Sequence, residues 1–249
     1  MDWRLIPYLK TDGITQMAID QWLFDQCYHG NHPPTLRFYT WTPVAISLGR
    51  NQLTWPSHWQ DLTWQGNPIE LVRRPTGGRA VLHEGDLTYA ISLPHPHRNR
   101  RQAYEDLCQF LIQGWQELGY SLRFGEPRRN YTHKANCFAT ATNADLVLGN
   151  GYKLIGSAQA WQGQTVLQHG SMRINPSPEL TEQVFGQTIP EKDNTLHQIP
   201  EAVIISSLIA AAKTCFEATI TCESLSPKEL EAIEQVKLMQ VVDNKLTRN

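Results

Sequence analysis

A chain of 249 residues, 41% hydrophobic and 18% charged, has enough apolar material for a sizeable globular core. Its formal charge of −2 excludes a globally basic nucleic-acid binder. The start, Met1-Asp2-Trp3-Arg4, lacks a secretory pattern, and the longest purely apolar run, near Leu208 to Ala212, is too short to cross a bilayer. A cytoplasmic protein is therefore expected, with neither nucleic acid nor membrane as partner.

After Gly13 the positions Ile14, Met17, Ala18, Trp22, Leu23 and Cys27 recur at helical spacing, and Gly30 is a natural stop. From Leu36 the chain breaks into short β-branched and aromatic pieces: 36–39, 44–48, 69–72, 79–83 and 87–91. Between Gln102 and Gly119 the residues Tyr104, Leu107, Cys108, Leu111, Ile112, Trp115 and Leu118 form one apolar helical stripe, with Gly119 at the C′ position. Strands return at 145–148, 152–158 and 166–174, and Gly149-Asn150-Gly151 signals a hairpin. The chain turns polar beyond Pro176. A helix is predicted over Ala202 to Thr219, and a last one opens at Ser226-Pro227-Lys228-Glu229, a capping box with proline at its first position. This order predicts an α+β fold, mixed or antiparallel sheets flanked by helices, in one domain over residues 1–249 with a helical C-terminal segment from about residue 200.

The five cysteines, Cys27, Cys108, Cys137, Cys215 and Cys222, are odd in number and form no C-x-x-C pair, so neither a disulfide frame nor a metal site is expected. Cys108 and Cys215 fall in apolar helical patterns and read as core. Cys137 is the exception. It lies in the polar stretch Asn130-Tyr131-Thr132-His133-Lys134-Ala135-Asn136-Cys137 with Arg128 and Arg129 upstream, and nearby positive charge raises the thiolate fraction of a cysteine.

Two other stretches carry candidate chemistry. Arg73-Arg74-Pro75-Thr76-Gly77-Gly78 leads through Arg79 to His83, Glu84 and Asp86. Paired glycines let backbone amides approach a ligand closely, and the missing Gly-Lys-Ser/Thr ending excludes a phosphate loop. In Lys153-Leu154-Ile155-Gly156-Ser157-Ala158-Gln159, strict alternation places Lys153, Ile155 and Ser157 on one face, while Gly156 and Ala158 leave room for something slender.

Together these stretches resemble the lipoate–protein ligase/octanoyltransferase family, which shares the biotin/lipoyl-ligase catalytic fold. Arg73-Arg74 through Gly77-Gly78 to His83 is similar to its glycine signature, and Lys153 to Gln159 to its lysine motif. Arg37 to Pro43, with Ser47-Leu48-Gly49 and Gln52, resembles its N-terminal strand pair, and Leu167-Gln168-His169-Gly170-Ser171 the strand after the lysine. Arg79, in place of the ligases' third glycine, and Cys137 resemble the branch that works through a cysteine thioester and donates to the glycine-cleavage H protein.

The resemblance implies an octanoyl donor on acyl carrier protein, Cys137 as nucleophile and Lys153 as its partner, either as base or as donor to the carbonyl oxygen. It further implies substrate contacts at Arg74, Gly77, Gly78, His83, Gly156, Ser157, Ala158, His169 and Gly170. The acceptor is a lysine of H protein or another lipoyl domain. Carrier and H proteins are generally acidic, and Arg98-Asn99-Arg100-Arg101 with Arg128-Arg129 is the candidate docking charge. No cofactor is expected on this route. ATP and magnesium enter only under the alternative of an ATP-dependent ligase forming an acyl-adenylate. A binding module without chemistry is opposed by the intact Cys137, Lys153 and His83, and a biotin ligase by the lack of a glycine-arginine-glycine-rich biotin loop.

Overall fold

In chain order the elements are β1 (Asp2–Thr11), α1 (Gly13–Tyr28), β2 (Thr35–Trp41), β3 (Ala45–Leu48), β4 (Thr63–Trp64), β5 (Asn67–Pro68), β6 (Glu70–Arg73), β7 (Val81–His83), β8 (Asp86–Pro94), α2 (Arg100–Glu117), β9 (Leu122–Phe124), β10 (Asp145–Leu148), β11 (Lys153–Gln162), β12 (Thr165–Arg173), α3 (Pro178–Phe185), α4 (Glu201–Cys215), β13 (Thr219–Cys222) and α5 (Pro227–Leu246). The computed structural model describes residues 1–95, 99–125, 145–186 and 195–246. The large sheet runs β13-β1-β2-β8-β12-β11-β10-β9, a three-stranded sheet runs β6-β3-β7, and β4 pairs β5. β1 is parallel to β2 and to β13, and the other pairs of the large sheet are antiparallel, which is the mixed arrangement expected.

Alternation along β8 sorts the large sheet into two faces. Leu87, Tyr89, Ile91 and Leu93 join a core with Leu107, Phe110, Leu111 and Trp115 of α2 and Ile204, Leu208 and Ala211 of α4. Ala90, pointing the other way, packs with Met17 and Phe24 of α1 and with Tyr39, Trp41 and Leu167. The site occupies this α1 side, between the large sheet and the small one. Among the described residues no helix is long and apolar enough to cross a membrane.

Several local readings need correction. β1 escapes a periodicity search because Pro7 interrupts it and removes a ladder donor; the strand absorbs this with a register shift between Ile6 and Leu9. The helix predicted over Ala202 to Thr219 stops at Cys215, because Glu217 takes a left-handed φ of 46°. The β-branched Thr219-Ile220-Thr221 run then forms β13, so the C-terminal segment is not purely helical. The polar stretch after Pro176 holds α3, capped by the Ser177 side chain, with proline in its first turn and Gly186 left-handed at its end.

α5 is tied back to β1 by Arg4. Its Nη1 donates to Glu229 Oε1 at 2.6 Å and its Nη2 to Oε2 at 3.0 Å. The hydrogen bond from Arg4 holds the Glu229 carboxyl down to about 2, against an ordinary 4.5. A depressed carboxylate adds stability above its unfolded value, and that stability is lost as pH falls through the folded one. Unfolding stability should therefore decline between about pH 4.5 and 2, and Glu229→Gln should flatten that limb in denaturant titrations run across the range.

Candidate active site

Sheet register builds the floor of the site. Arg37, Ala90, His169 and Ala158 are consecutive cross-strand partners, and Tyr39, Thr88, Ser171, Gly156 and Asp145 form the next row but one on the same α1-facing side. The lid comes from the small sheet and from the turn between β6 and β7. Between them lies a mostly apolar cavity of about 460 Å³, counting open solvent at its mouth. Arg74, Gly78 and His83 line it from the turn side. Gly156, Ser157 and Ala158 of β11 and His169 and Gly170 of β12 line it from the sheet. Gly77 stands beside Gly78 in the turn.

The turn is held by a guanidinium. Arg74, buried, donates through Nη1 to the Ser47 carbonyl at 2.8 Å, and through Nη2 to the carbonyls of Gly77 at 2.7 Å and Arg79 at 2.8 Å. Gly78 takes a left-handed φ of 98°, which glycine alone adopts cheaply. Among the described residues neither the Gly77 nor the Gly78 N–H has a hydrogen-bond acceptor. These amides are the donors that a developing oxyanion needs.

Two aspartate–histidine–hydroxyl chains back the cavity. In the first, Asp86 can only accept, so His83 Nδ1 donates to it at 2.8 Å. His83 Nε2 meets Ser47 Oγ at 2.8 Å, and that hydroxyl also accepts from Arg74 Nη1 at 3.2 Å. The connectivity resembles a hydrolytic triad, but Ser47 is engaged on both sides and bridges His83 to Arg74. In the second, His169 Nδ1 donates to Asp20 Oδ2 at 2.8 Å and Nε2 meets Thr76 Oγ1 at 2.6 Å. Burial pushes the His169 pKa below the usual 6.5, partly opposed by the bond to Asp20, so the ring is neutral at pH 7 and Nε2 accepts the Thr76 hydroxyl proton.

Lys153 corrects the alternation argument. Leu146 pairs with Ile155 but Val147 pairs with Lys153, so a bulge inserts Leu154 as an extra residue. Bulges re-aim side chains. This one turns Lys153 away from the Ile155 and Ser157 face and onto the face of Gly156 and Asp145. There Lys153 Nζ meets Asp145 Oδ1 at 2.9 Å, with both residues buried. Lys153 does not line the cavity wall; it begins the strand whose Gly156 does, three residues or roughly 10 Å along. Ser157 points to the opposite core face, where its Oγ meets the Tyr89 hydroxyl at 2.8 Å.

Cys137 lies outside the described residues, as do Arg98, Arg128, Arg129, His133 and Lys134. Two other cysteines are inert by environment: burial pushes the Cys27 thiol up to about 11 and the Cys108 thiol up to about 12. Of the expected docking charge, Arg100 and Arg101 open α2, and Arg101 is paired with Glu105 at 2.8 Å.

With this geometry in place the chain can be compared with known proteins. The profile of the lipoyl protein ligase A/B catalytic domain matches residues 12–231. The chain belongs to that family. It is 34% identical over 213 residues to octanoyltransferase LipM of Exiguobacterium sp., a stretch covering 81% of this chain and 76% of the relative. To octanoyltransferase LipM of Moorella thermoacetica it is 38% identical over 178 residues, covering 68% of this chain and 64% of the relative. The family member described here is thus an acyltransferase. A lipoate-protein ligase A bound with ATP has the same fold, with TM-score 0.78 and 19% identity over 95% of this chain and 94% of that one. So does the bipartite lipoate protein ligase of Thermoplasma acidophilum, with TM-score 0.72 and 17% identity over 95% and 91% of the two chains.

The sequence motifs pointed to the turn, the histidines and the lysine, of which the turn's Arg74 and Gly78 and both histidines line the cavity. They contained Ser47, Thr76 and Asp86 without giving them a role, and they missed Asp20 and Asp145. Asp145 left a trace, as the one charged residue of an otherwise apolar strand.

The close approach of Gly49 to the turn yields a test. A Cβ on Gly49 would overlap the Gly78 carbonyl, so Gly49→Ala must push the turn off the cavity. Overpacking of this kind costs about 1–3 kcal/mol. We expect a lowered Tm by calorimetry together with weakened binding of an acyl ligand by titration.

Proposed function

We propose that this enzyme moves an octanoyl group from acyl carrier protein to the lysine of a lipoyl domain, of H protein or another, through a thioester on Cys137. The observation that supports it most is the β11 bulge. It turns Lys153 onto the sheet face that floors an apolar cavity, where its amine pairs with Asp145 of the Gly156 row, and the turn beside that cavity has two amides without an acceptor among the described residues.

In the first step the Cys137 thiolate attacks the donor carbonyl. The bond to the carrier's phosphopantetheine sulfur breaks and that sulfur leaves as a thiolate. In the second, the neutral amine of the acceptor lysine attacks octanoyl-Cys137. The carbon–sulfur bond breaks, and the departing sulfur takes the proton that the amine loses. Both steps build negative charge on the carbonyl oxygen. Lys153 and the amides of Gly77 and Gly78 are donors of the kind that stabilises it, worth about 3–4 kcal/mol each where measured. The ion pair with Asp145 supports Lys153 as the donor rather than the base.

The tail fills the apolar cavity. Burying seven methylene or methyl groups at about 0.8 kcal/mol each gives an upper limit of about 5–6 kcal/mol. One carbon more or less shifts affinity only severalfold, so tail length is weakly selected by area alone.

Cys137→Ala should abolish transfer from octanoyl carrier protein to a lipoyl domain; a near wild-type rate removes the thioester from the mechanism. Lys153→Ala should cost on the order of 100-fold or more in rate, with an unchanged circular dichroism spectrum. Retained activity in that variant removes Lys153.

A further inference from the structure

Asp20 is a buried carboxylate behind the cavity that gathers side chains from β2 and β12, and no step above draws on it. It sits on α1, 1% exposed, far in sequence from the groups it serves. Its Oδ1 accepts from Arg37 Nη1 at 2.9 Å. Its Oδ2 accepts from the Tyr39 hydroxyl and from His169 Nδ1, both at 2.8 Å. Arg37 and His169 flank Ala90 in one cross-strand row, so the sheet aims both at the same carboxylate. The far side of His169 grips Thr76, the residue before Gly77 and Gly78. The backbone of Thr76 is tied as well, its carbonyl accepting from Arg50 N at 2.8 Å.

We propose that Asp20 is a positioning residue for acyl transfer. Through the His169 ring it fixes the direction of the Thr76 hydroxyl bond, and with it the placing of the Gly77 and Gly78 amides over the cavity. The inference rests on the acyl-transfer reading of the cavity, but its first readout does not.

The chain of donors has one consistent direction. Asp20 has no proton to give, so Nδ1 carries the hydrogen, Nε2 is the acceptor, and Thr76 donates. An asparagine at position 20 breaks this order. Its oxygen must stay with the buried Arg37 guanidinium, because a charge-assisted bond is roughly twice as strong as a neutral one. Its NH2 group then faces the Tyr39 hydroxyl, which must turn to accept from it, and His169 Nδ1, which can satisfy it only by moving the ring proton to Nε2. Nε2–H next points at Thr76 Oγ1, and the Thr76 hydroxyl proton loses its acceptor. One atom changed on α1 thereby reverses a hydrogen bond at the turn, with the cavity's shape unchanged.

The test combines a spectrum with kinetics on the full chain. In 15N-histidine-labelled protein, long-range 1H–15N correlation spectra should show His169 as the Nδ1–H tautomer in wild type and as Nε2–H in Asp20→Asn. Misplacement by about 1 Å costs on the order of 100-fold, so kcat for Asp20→Asn should fall by about 10- to 100-fold, with KM for the acyl donor little changed. Thr76→Val should show the same kcat loss, and Thr76→Ser, which restores the hydroxyl, should recover most of the rate.

An Nε2–H tautomer in the wild type overturns the proposal. So does an unchanged kcat in Thr76→Val, or a Thr76→Ser variant no better than Thr76→Val. Should Asp20→Asn not fold, the wild-type tautomer and the Thr76 pair decide alone. A wild type that moves no octanoyl group counts against the proposed function. In that case the spectra of wild type and Asp20→Asn still judge the relay, and an unchanged tautomer in the variant overturns it.

Discussion

The site depends on a single buried guanidinium. Arg74 reaches the carbonyls of Ser47, Gly77 and Arg79, so it joins β3 to both limbs of the glycine turn. Hydrogen bonds from a charged donor are worth about 1.5–3 kcal/mol each, and a buried charge left unpaired costs more. The turn is therefore folded around Arg74 and cannot relax without stranding it. Gly49 and Gly78 then meet at a distance that only glycine permits. The result is a rigid stretch of backbone whose Gly77 and Gly78 N–H groups have no acceptor among the described residues, next to an apolar cavity.

Each of the other polar features serves that stretch or the face beneath it. The Asp86–His83–Ser47 chain steadies the strand side of Arg74. The Asp20–His169–Thr76 chain steadies the turn itself. The β11 bulge turns Lys153 to the floor face, where its amine reaches Asp145. Buried polar networks of this kind are costly when half satisfied and specifying when complete. In these two chains each Asp, His and hydroxyl has a named partner. Arg37, which shares Asp20, keeps one buried orphan, its Nε.

Much of this was legible in the sequence because the motifs are local. Arg73-Arg74 to Gly78 and His83, the strand from Lys153 and the pair His169-Gly170 all read as candidate site residues; Arg74, Gly78, His83, Gly156, His169 and Gly170 line one cavity, and Lys153 lies off its wall. What stayed hidden is what register and packing decide. Asp20 lies on a helix whose apolar spacing says only that it is a helix, and its partners are 17, 19 and 149 residues away. The face of Lys153 was misjudged because alternation assumes an unbroken ladder, and a bulge inverts the answer by one residue. β1 and the edge strand β13 stayed hidden for a related reason: Pro7 masks the one, and an apolar helix ending four residues earlier masks the other.

The central claim is that acyl transfer passes through a cysteine without nucleotide. Intact-mass spectrometry of the protein mixed with octanoyl carrier protein, with and without ATP, tests it most directly. The account predicts an added mass of one octanoyl group without ATP, carried on the peptide holding Cys137 and discharged by a lipoyl domain. An adduct that forms only from free octanoate with ATP, or one on a residue other than Cys137, contradicts it.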